Sequence, residues 1–304
     1  MDSANGVKKN KFNFVILEPY LLMLPSMVVV VVLILWPITR TFAYSFMSYS
    51  PIKPDKIGFI GLDNFKTLLS DSKFMRSLSV SSLYASLTVL FQFILGFTLA
   101  LLMKNMKLFK GFYRAAVFAP WAVSGVLTAI MWKMIFDGSF GVINDLLLRF
   151  HIIEKAIPFG TTRMTAFIMV IIASVWRGIP YFTISLLAAL TSIPDEIYES
   201  GRVDGAGPAR LFFSITLPYL REVIVLTTLL RTIWTFNDVD IVYSLTSGGP
   251  ANATLTLPVY VTRNAVEYMD YGYGSTLAIG VFMVLLVFAV IYMQFGKSND
   301  DFST

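Results

Sequence analysis

Arg177, Arg231 and Asp238 are the residues whose chemistry stands out first, because each falls inside a long apolar run. A charged side chain at the centre of a bilayer costs on the order of 3 kcal/mol or more, so such groups face a bundle interior or a water-filled path. Arg231 and Asp238 are seven residues apart. On a continuous helix that places them about 20° from one shared face, with Thr235 on it and Trp234 beside it. Arginine donors, an aspartate acceptor, a hydroxyl and an indole together suit a sugar, whose hydroxyls need directed hydrogen bonds and whose apolar ring face stacks on an aromatic. Two arginines also suit an anionic sugar such as a uronate. The alternative is an Arg231–Asp238 or Arg177–Asp238 pair that stabilises the bundle without touching solute. Asp240, about 180° from Arg231 by the same count, reads as a near-interface residue, and Lys133, close to a run's end, can snorkel.

A second set of residues forms a polar loop between two apolar runs: Glu199, Ser200, Gly201, Asp204, Gly205 and Ala206, followed by Ile215, Leu217 and Pro218. Pro194 with Asp195 and Glu196 behind it is suited to a helix N-terminus, where a fixed φ needs no donor and negative charge meets the positive end of the dipole. A short helix over 194–203 follows. Gly205 permits a turn with φ > 0, and Pro208 can start a second short helix. The expected product is a helix, a turn and a helix lying along the membrane surface, with Glu199 as a charged anchor for a basic group on a soluble partner.

The elements that must position these residues are set by composition. Of 304 residues, 56% are apolar and 14% charged, too little polar surface to cover a soluble globule. Runs long enough to cross about 30 Å of hydrocarbon occur at 14–36, 78–102, 115–136, 166–190, 223–245 and 277–295. They lack strict alternation, so helices rather than barrel strands satisfy the backbone. The fold class is all-α integral membrane, with six transmembrane helices and a short cytoplasmic helix between spans four and five. The expected organisation is a cytoplasmic tail at 1–13, one transmembrane domain at 14–295 with its loop at 191–218, and a cytoplasmic tail at 296–304.

The net charge of +5 sits at span ends and reads as topology rather than nucleic-acid binding. Lys104, Lys107, Lys110 and Arg114 without an acid between them, and Lys8, Lys9 and Lys11, face the cytoplasm by the positive-inside rule. The first run exceeds a signal-peptide core and is read as a retained span. With no cysteine and one histidine, His151 in an outer loop, thiol chemistry, disulfides, a triad and a metal site are all excluded as expectations. Gly296, Lys297 and Ser298 end like a phosphate loop, yet position 291 is Ile rather than Gly, so no ATP site is expected here.

The spacing of Glu199, Gly205, Ile215, Leu217 and Pro218 resembles the coupling signature of permease subunits in binding-protein-dependent ABC importers. Val175 to Tyr181, Asp204 to Gly207, and Trp234 to Asp238 leading to Gly248-Gly249-Pro250 are similar to the carbohydrate-import branch, the maltose and glycerol-phosphate permeases. The resemblance covers spans two to six well and the N-terminal part loosely. It implies a MetI/MalF-like permease fold in a bacterial-type cell membrane. The implied partners are a second homologous permease, a dimer of ATP-binding subunits carrying ATP and Mg, and an extracytoplasmic solute-binding protein, with a carbohydrate as solute. This chain then has no catalytic residue of its own. By the same resemblance Gly178, Tyr181, Arg231, Trp234, Thr235 and Asp238 match positions lining the maltose-type cavity. A self-sufficient ion-coupled transporter, with Asp238 and the arginines carrying the coupling charge, is the alternative; a membrane-embedded enzyme lacks a nucleophile and base.

Overall fold

The computed structural model describes residues 14–106 and 110–297. The expectations for the tail at 1–13, for Lys107 and for residues 298–304 lie outside the described residues. Within them the apolar runs are helices, the form in which a chain without water to bond satisfies every backbone group internally. Four helices are long and apolar enough to cross a bilayer, and six if each of two bent pairs counts as one span.

The helices α1 (Phe14–Val30) and α2 (Trp36–Ser45) continue into one another through a π turn at Val31–Leu35. Residues 19–40 are all exposed, and only the far end, α2, leans on the last helix. A two-stranded antiparallel ribbon, β1 (Met47–Ser48) with β2 (Gly58–Phe59), and the short α3 (Asp63–Ser70) follow. Asp71 then opens the 34-residue α4 (Ser72–Asn105), its Oδ1 accepting from the Lys73 amide at 2.8 Å. Next come α5 (Lys110–Ala122), α6 (Gly125–Ile135), the short α7 (Val142–Arg149) and the 29-residue α8 (Arg163–Thr191). A capping box between Thr162 and Thr165 starts α8. The polar loop holds α9 (Asp195–Val203), α10 (Pro208–Leu211) and α11 (Leu217–Tyr219), and the chain finishes with α12 (Arg221–Phe236), α13 (Asp240–Thr246), α14 (Leu257–Thr262) and α15 (Tyr271–Lys297).

The centre of the bundle is α4 packed along α8. Lipid tails are as apolar as leucine, so this contact is held by close packing and interhelical hydrogen bonds rather than by expulsion of water. Small residues allow it: Ala85, Ala100 and Ala173 are at most 2% exposed. Tyr84 and Ser174 join their hydroxyls at 2.8 Å across the same seam. One buried cluster centres on Val89, Phe97, Phe182, Leu186 and Leu220, and a larger one on Tyr84, Met169, Ile241, Val242, Leu257 and Leu277. The many exposed Leu, Val and Phe side chains of α1, α4 and α15 form the surface expected toward lipid.

Two runs expected to be continuous are broken. Span three bends by 98° between α5 and α6. Pro120 withdraws one amide from the end of α5. Ser124, extended at ψ 154°, then caps the new helix by accepting from the Leu127 amide at 3.3 Å. The second bend, of 63°, lies just ahead of span five, between Tyr219 and Arg221. Within the arm Arg221–Thr246 only the helical bonding lapses, at 237–239, where Asn237 caps α12 and the Asp238 carboxylate faces the Ile241 amide at 3.4 Å as α13 begins. Both breaks are built from short polar side chains that compete for backbone groups.

Candidate functional site

The break at 237–239 leaves Arg231 and Asp238 lining one cavity, as their spacing led us to expect. It cancels the angular argument that put Asp240 on the far side, since residues beyond the break no longer follow the turn of α12. The result is a cavity of about 430 Å³ lined by Arg177 from α8, by Arg231, Trp234 and Thr235 from α12, by Asn237, Asp238, Val239 and Asp240 at the break, and by Trp121 from α5. Asp240 is therefore a cavity residue. Trp121, Asn237 and Val239 were not foreseen, because their places depend on the two breaks.

Within the cavity the groups have unequal neighbours. Arg177 Nη1 lies 3.7 Å from Asp238 Oδ2, an ion pair with side chains 28% and 16% exposed. Asp240 and Arg177 both pack near Gly125 of α6, where a Cβ would sit 3.0 Å from Asp240 Oδ2 and 3.3 Å from Arg177 Nη1. Arg231 instead donates from Nε to Oε1 of the fully buried Gln92 at 2.7 Å, and the Gln92 amide donates on to the Ser174 carbonyl at 2.8 Å. Gly178 explains why those side chains can meet: a Cβ there would fall 2.0 Å from Gln92 Nε2 and 2.3 Å from Arg231 Nη2. The Arg231 guanidinium lies 5.9 Å from the Tyr181 ring centroid, and Tyr181 meets Trp234 edge-on at 5.3 Å. The Thr235 hydroxyl and Arg177 Nε are buried with no hydrogen-bond partner among the described residues. The seven residues expected here, Arg177, Gly178, Tyr181, Arg231, Trp234, Thr235 and Asp238, thus fall in one neighbourhood, with Gly178 and Tyr181 behind the wall rather than in it.

The polar loop takes the expected helix, turn, helix form. Pro194 is the N-cap of α9, and at its other end Gly205 adopts φ +78°. The Ala206 amide reaches the Gly201 carbonyl at 2.9 Å and the Gly205 amide the Arg202 carbonyl at 3.0 Å, the paired bonds of a Schellman close. Gly201 is small because α9 and the following segment touch there: a Cβ would fall 2.7 Å from Leu211 Cδ2 and 3.0 Å from Ile215 Cδ1. Tyr198 bonds Thr216 at 3.0 Å, and Lys104 at the end of α4 lies 4.3 Å from the Tyr198 ring centroid. The other face is open. Glu199, Ser200 and Asp204 are exposed, and Val203 is 87% exposed, an apolar side chain presented outward from a braced helix.

Comparison with known proteins bears on both sites. The model of the family described as binding-protein-dependent transport system inner membrane component matches residues 92–295, which hold the cavity and the loop. The trehalose/maltose transport system permease protein MalF of Thermococcus litoralis is 35% identical over 285 residues, 93% of this chain and 94% of the relative. The sulfoquinovosyl glycerol transport system permease protein SmoG of Agrobacterium fabrum is 32% identical over 280 residues, 92% of this chain and 90% of the relative. Among solved structures, a chain of a bacterial alginate ABC transporter in complex with alginate pentasaccharide-bound periplasmic protein superposes with a TM-score of 0.79 at 22% identity, over 94% of this chain and 97% of that one. At that identity the likeness speaks for the fold.

Proposed function

This chain belongs to the binding-protein-dependent transport system inner membrane component family, and from that membership we propose that it is the membrane-spanning subunit through which an ATP-driven importer passes a carbohydrate. It is a transport subunit and not an enzyme. The observation that carries the proposal is a connection. The loop at 191–218 joins α8 to α12, the two helices that bring Arg177 and Arg231 to the same cavity. A push on that loop therefore bears on the cavity directly. An ATP-binding subunit dimer, where ATP and Mg act, engages Glu199 and Val203 from the cytoplasm. A second, homologous permease supplies the other half of the path, and an extracytoplasmic binding protein delivers the solute. Closure of the ATPase dimer displaces α9, α8 and α12 tilt against the partner permease, and the cavity opens outward; hydrolysis resets it. Each ligand shifts this equilibrium only by its preference for one of the two states.

The solute reading rests on the mixed chemistry of the wall, on Trp121 and Trp234 as stacking surfaces, and on relatives whose names specify sugars. The basic residues flanking the spans support a reading with both termini in the cytoplasm. The ion-coupled alternative gives way to family membership, and it differs in requiring no partner.

The test is reconstitution of the four-component complex in proteoliposomes, with trehalose and maltose as probe sugars. Glu199→Ala removes the anchor, and Gly205→Pro cannot adopt φ +78°. Each should abolish most sugar-stimulated ATP hydrolysis and uptake. Uptake that survives either change, or that continues without ATP and collapses with the membrane potential, contradicts the proposal.

A further inference from the structure

Gln92 is fully buried in α4, outside the cavity wall, and its amide bonds two groups at once, the Ser174 carbonyl and Arg231 Nε. Its orientation follows from chemistry: Nε2 must donate to the Ser174 carbonyl at 2.8 Å, which leaves Oε1 to accept from Arg231 Nε at 2.7 Å. Ser174 and Gly178 lie four residues apart on α8, one face of one helix, so α8 supplies both the anchor for the amide and the slot in which amide and guanidinium meet. Using Nε as the tether fixes the plane of the guanidinium. It leaves the two terminal nitrogens without a hydrogen bond to the protein among the described residues; Nη2 packs into the Gly178 slot, and the side chain lines the cavity. Arg177 is situated differently, with Asp238 at 3.7 Å. One arginine pairs with a carboxylate and the other is aimed by a neutral amide.

Resting on the reading of this cavity as the solute path, we propose that Gln92 is a positioning residue for solute recognition: it holds Arg231, rather than Arg177, as the cation that donates to the solute. A neutral tether is the physical point. An amide orients the guanidinium without cancelling its charge, whereas a carboxylate in the same place would compete with the solute for it. Gly178 is part of the device, since any side chain there would occupy the place where the tether forms.

The experiment measures sugar imported per ATP hydrolysed by the complete reconstituted complex, with radiolabelled trehalose and maltose as probes. A residue that only supports the fold lowers uptake and hydrolysis together and leaves this ratio unchanged; a solute that is poorly held lets cycles pass empty and lowers it. Arg231→Lys keeps the charge and removes the Nε tether, and Gln92→Met keeps the volume and removes the acceptor. Each is expected to lower the ratio about tenfold, the scale of one lost hydrogen bond to a charged group. Because both break one interaction, the double variant should lose no more than the worse single change. Gln92→Glu retains an acceptor for Nε but replaces the neutral tether by a carboxylate and loses the donor to the Ser174 carbonyl, so it too should lower the ratio, and a wild-type ratio would contradict the need for a neutral tether. A wild-type ratio in Arg231→Lys or in Gln92→Met overturns the assignment, as do losses that multiply in the double variant. Should Gln92→Met fail to assemble, Arg231→Lys and Gln92→Glu decide alone. A wild-type complex that hydrolyses ATP but imports neither probe contradicts the carbohydrate reading beneath this one, a result of a different kind.

Discussion

At the scale of residues, the charges within the bundle are explained by their pairing. Arg177 and Asp238 are only partly shielded and sit at 3.7 Å, beyond a direct hydrogen bond, so their mutual attraction is moderate while the cost of orphaning either one is larger. Asp238→Asn should therefore lower the stability of the purified subunit by on the order of 1–3 kcal/mol, less than for a fully buried pair. Replacing both partners with methionine should recover part of that loss. Thermal unfolding in detergent, followed for the single and double variants, checks both. A double variant less stable than Asp238→Asn alone would mean that the arginine has another essential partner. The presence of these charges was legible in the sequence, because an arginine in an apolar run is conspicuous. Asp240 was misplaced because counting 100° per residue presumes an unbroken helix, and Gln92 passed unnoticed because its partner is 139 residues away.

At the scale of elements, three helices are tied together at Asp71. Its Oδ2 accepts from the Tyr260 hydroxyl at 2.7 Å and the Tyr273 hydroxyl at 2.6 Å, joining the start of α4 to α14 and α15. Burial works to raise the Asp71 carboxyl, but the hydroxyls of Tyr273 and Tyr260 and the amides of Lys73 and Phe74 outweigh it, leaving the carboxyl below its usual 3.8. Burial and the bond to Asp71 push the Tyr260 phenol upward, so it remains a donor at neutral pH. A carboxyl lowered by folding contributes fully above its unfolded value and loses that contribution as pH falls through the native one. The stability gap between wild type and Asp71→Asn should thus be constant from pH 7 down to the unfolded value of about 3.8 and shrink below it. Unfolding midpoints over pH 3–7 measure it, and a gap that opens on acidification would contradict the clamp. The spans themselves, the short helix after Pro194 and the turn at Gly205 could be read from apolar length, from proline at a helix start and from glycine at its close. The breaks in spans three and five could not, because each rests on one or two short polar residues among apolar neighbours such as Val123 and Val239. What stops the helix there is a capping side chain, Ser124 or Asp238, of a kind that also occurs harmlessly within helices.

At the scale of the whole molecule, the proposed sites of force and of recognition share two helices: the loop joins α8 to α12, with Arg177 midway along α8 and Arg231 farther along α12. The loop at 191–218 is braced on its inner face by Gly201, Leu211 and Ile215 and open on the other, and α8 and α12 lead from it to the charged cavity. The arrangement has meaning only if a motor protein grips the open face from the cytoplasm. The chain contains no cysteine, so Val203→Cys introduces its single thiol, at a position 87% exposed. In the assembled complex in sealed membranes, that thiol should cross-link to the ATP-binding subunit, with a yield that changes when ATP binds, and should be shielded from a membrane-impermeant maleimide added outside. Labelling from the outer side, or the absence of any cross-link to the ATP-binding subunit in a complex that transports, would contradict the account.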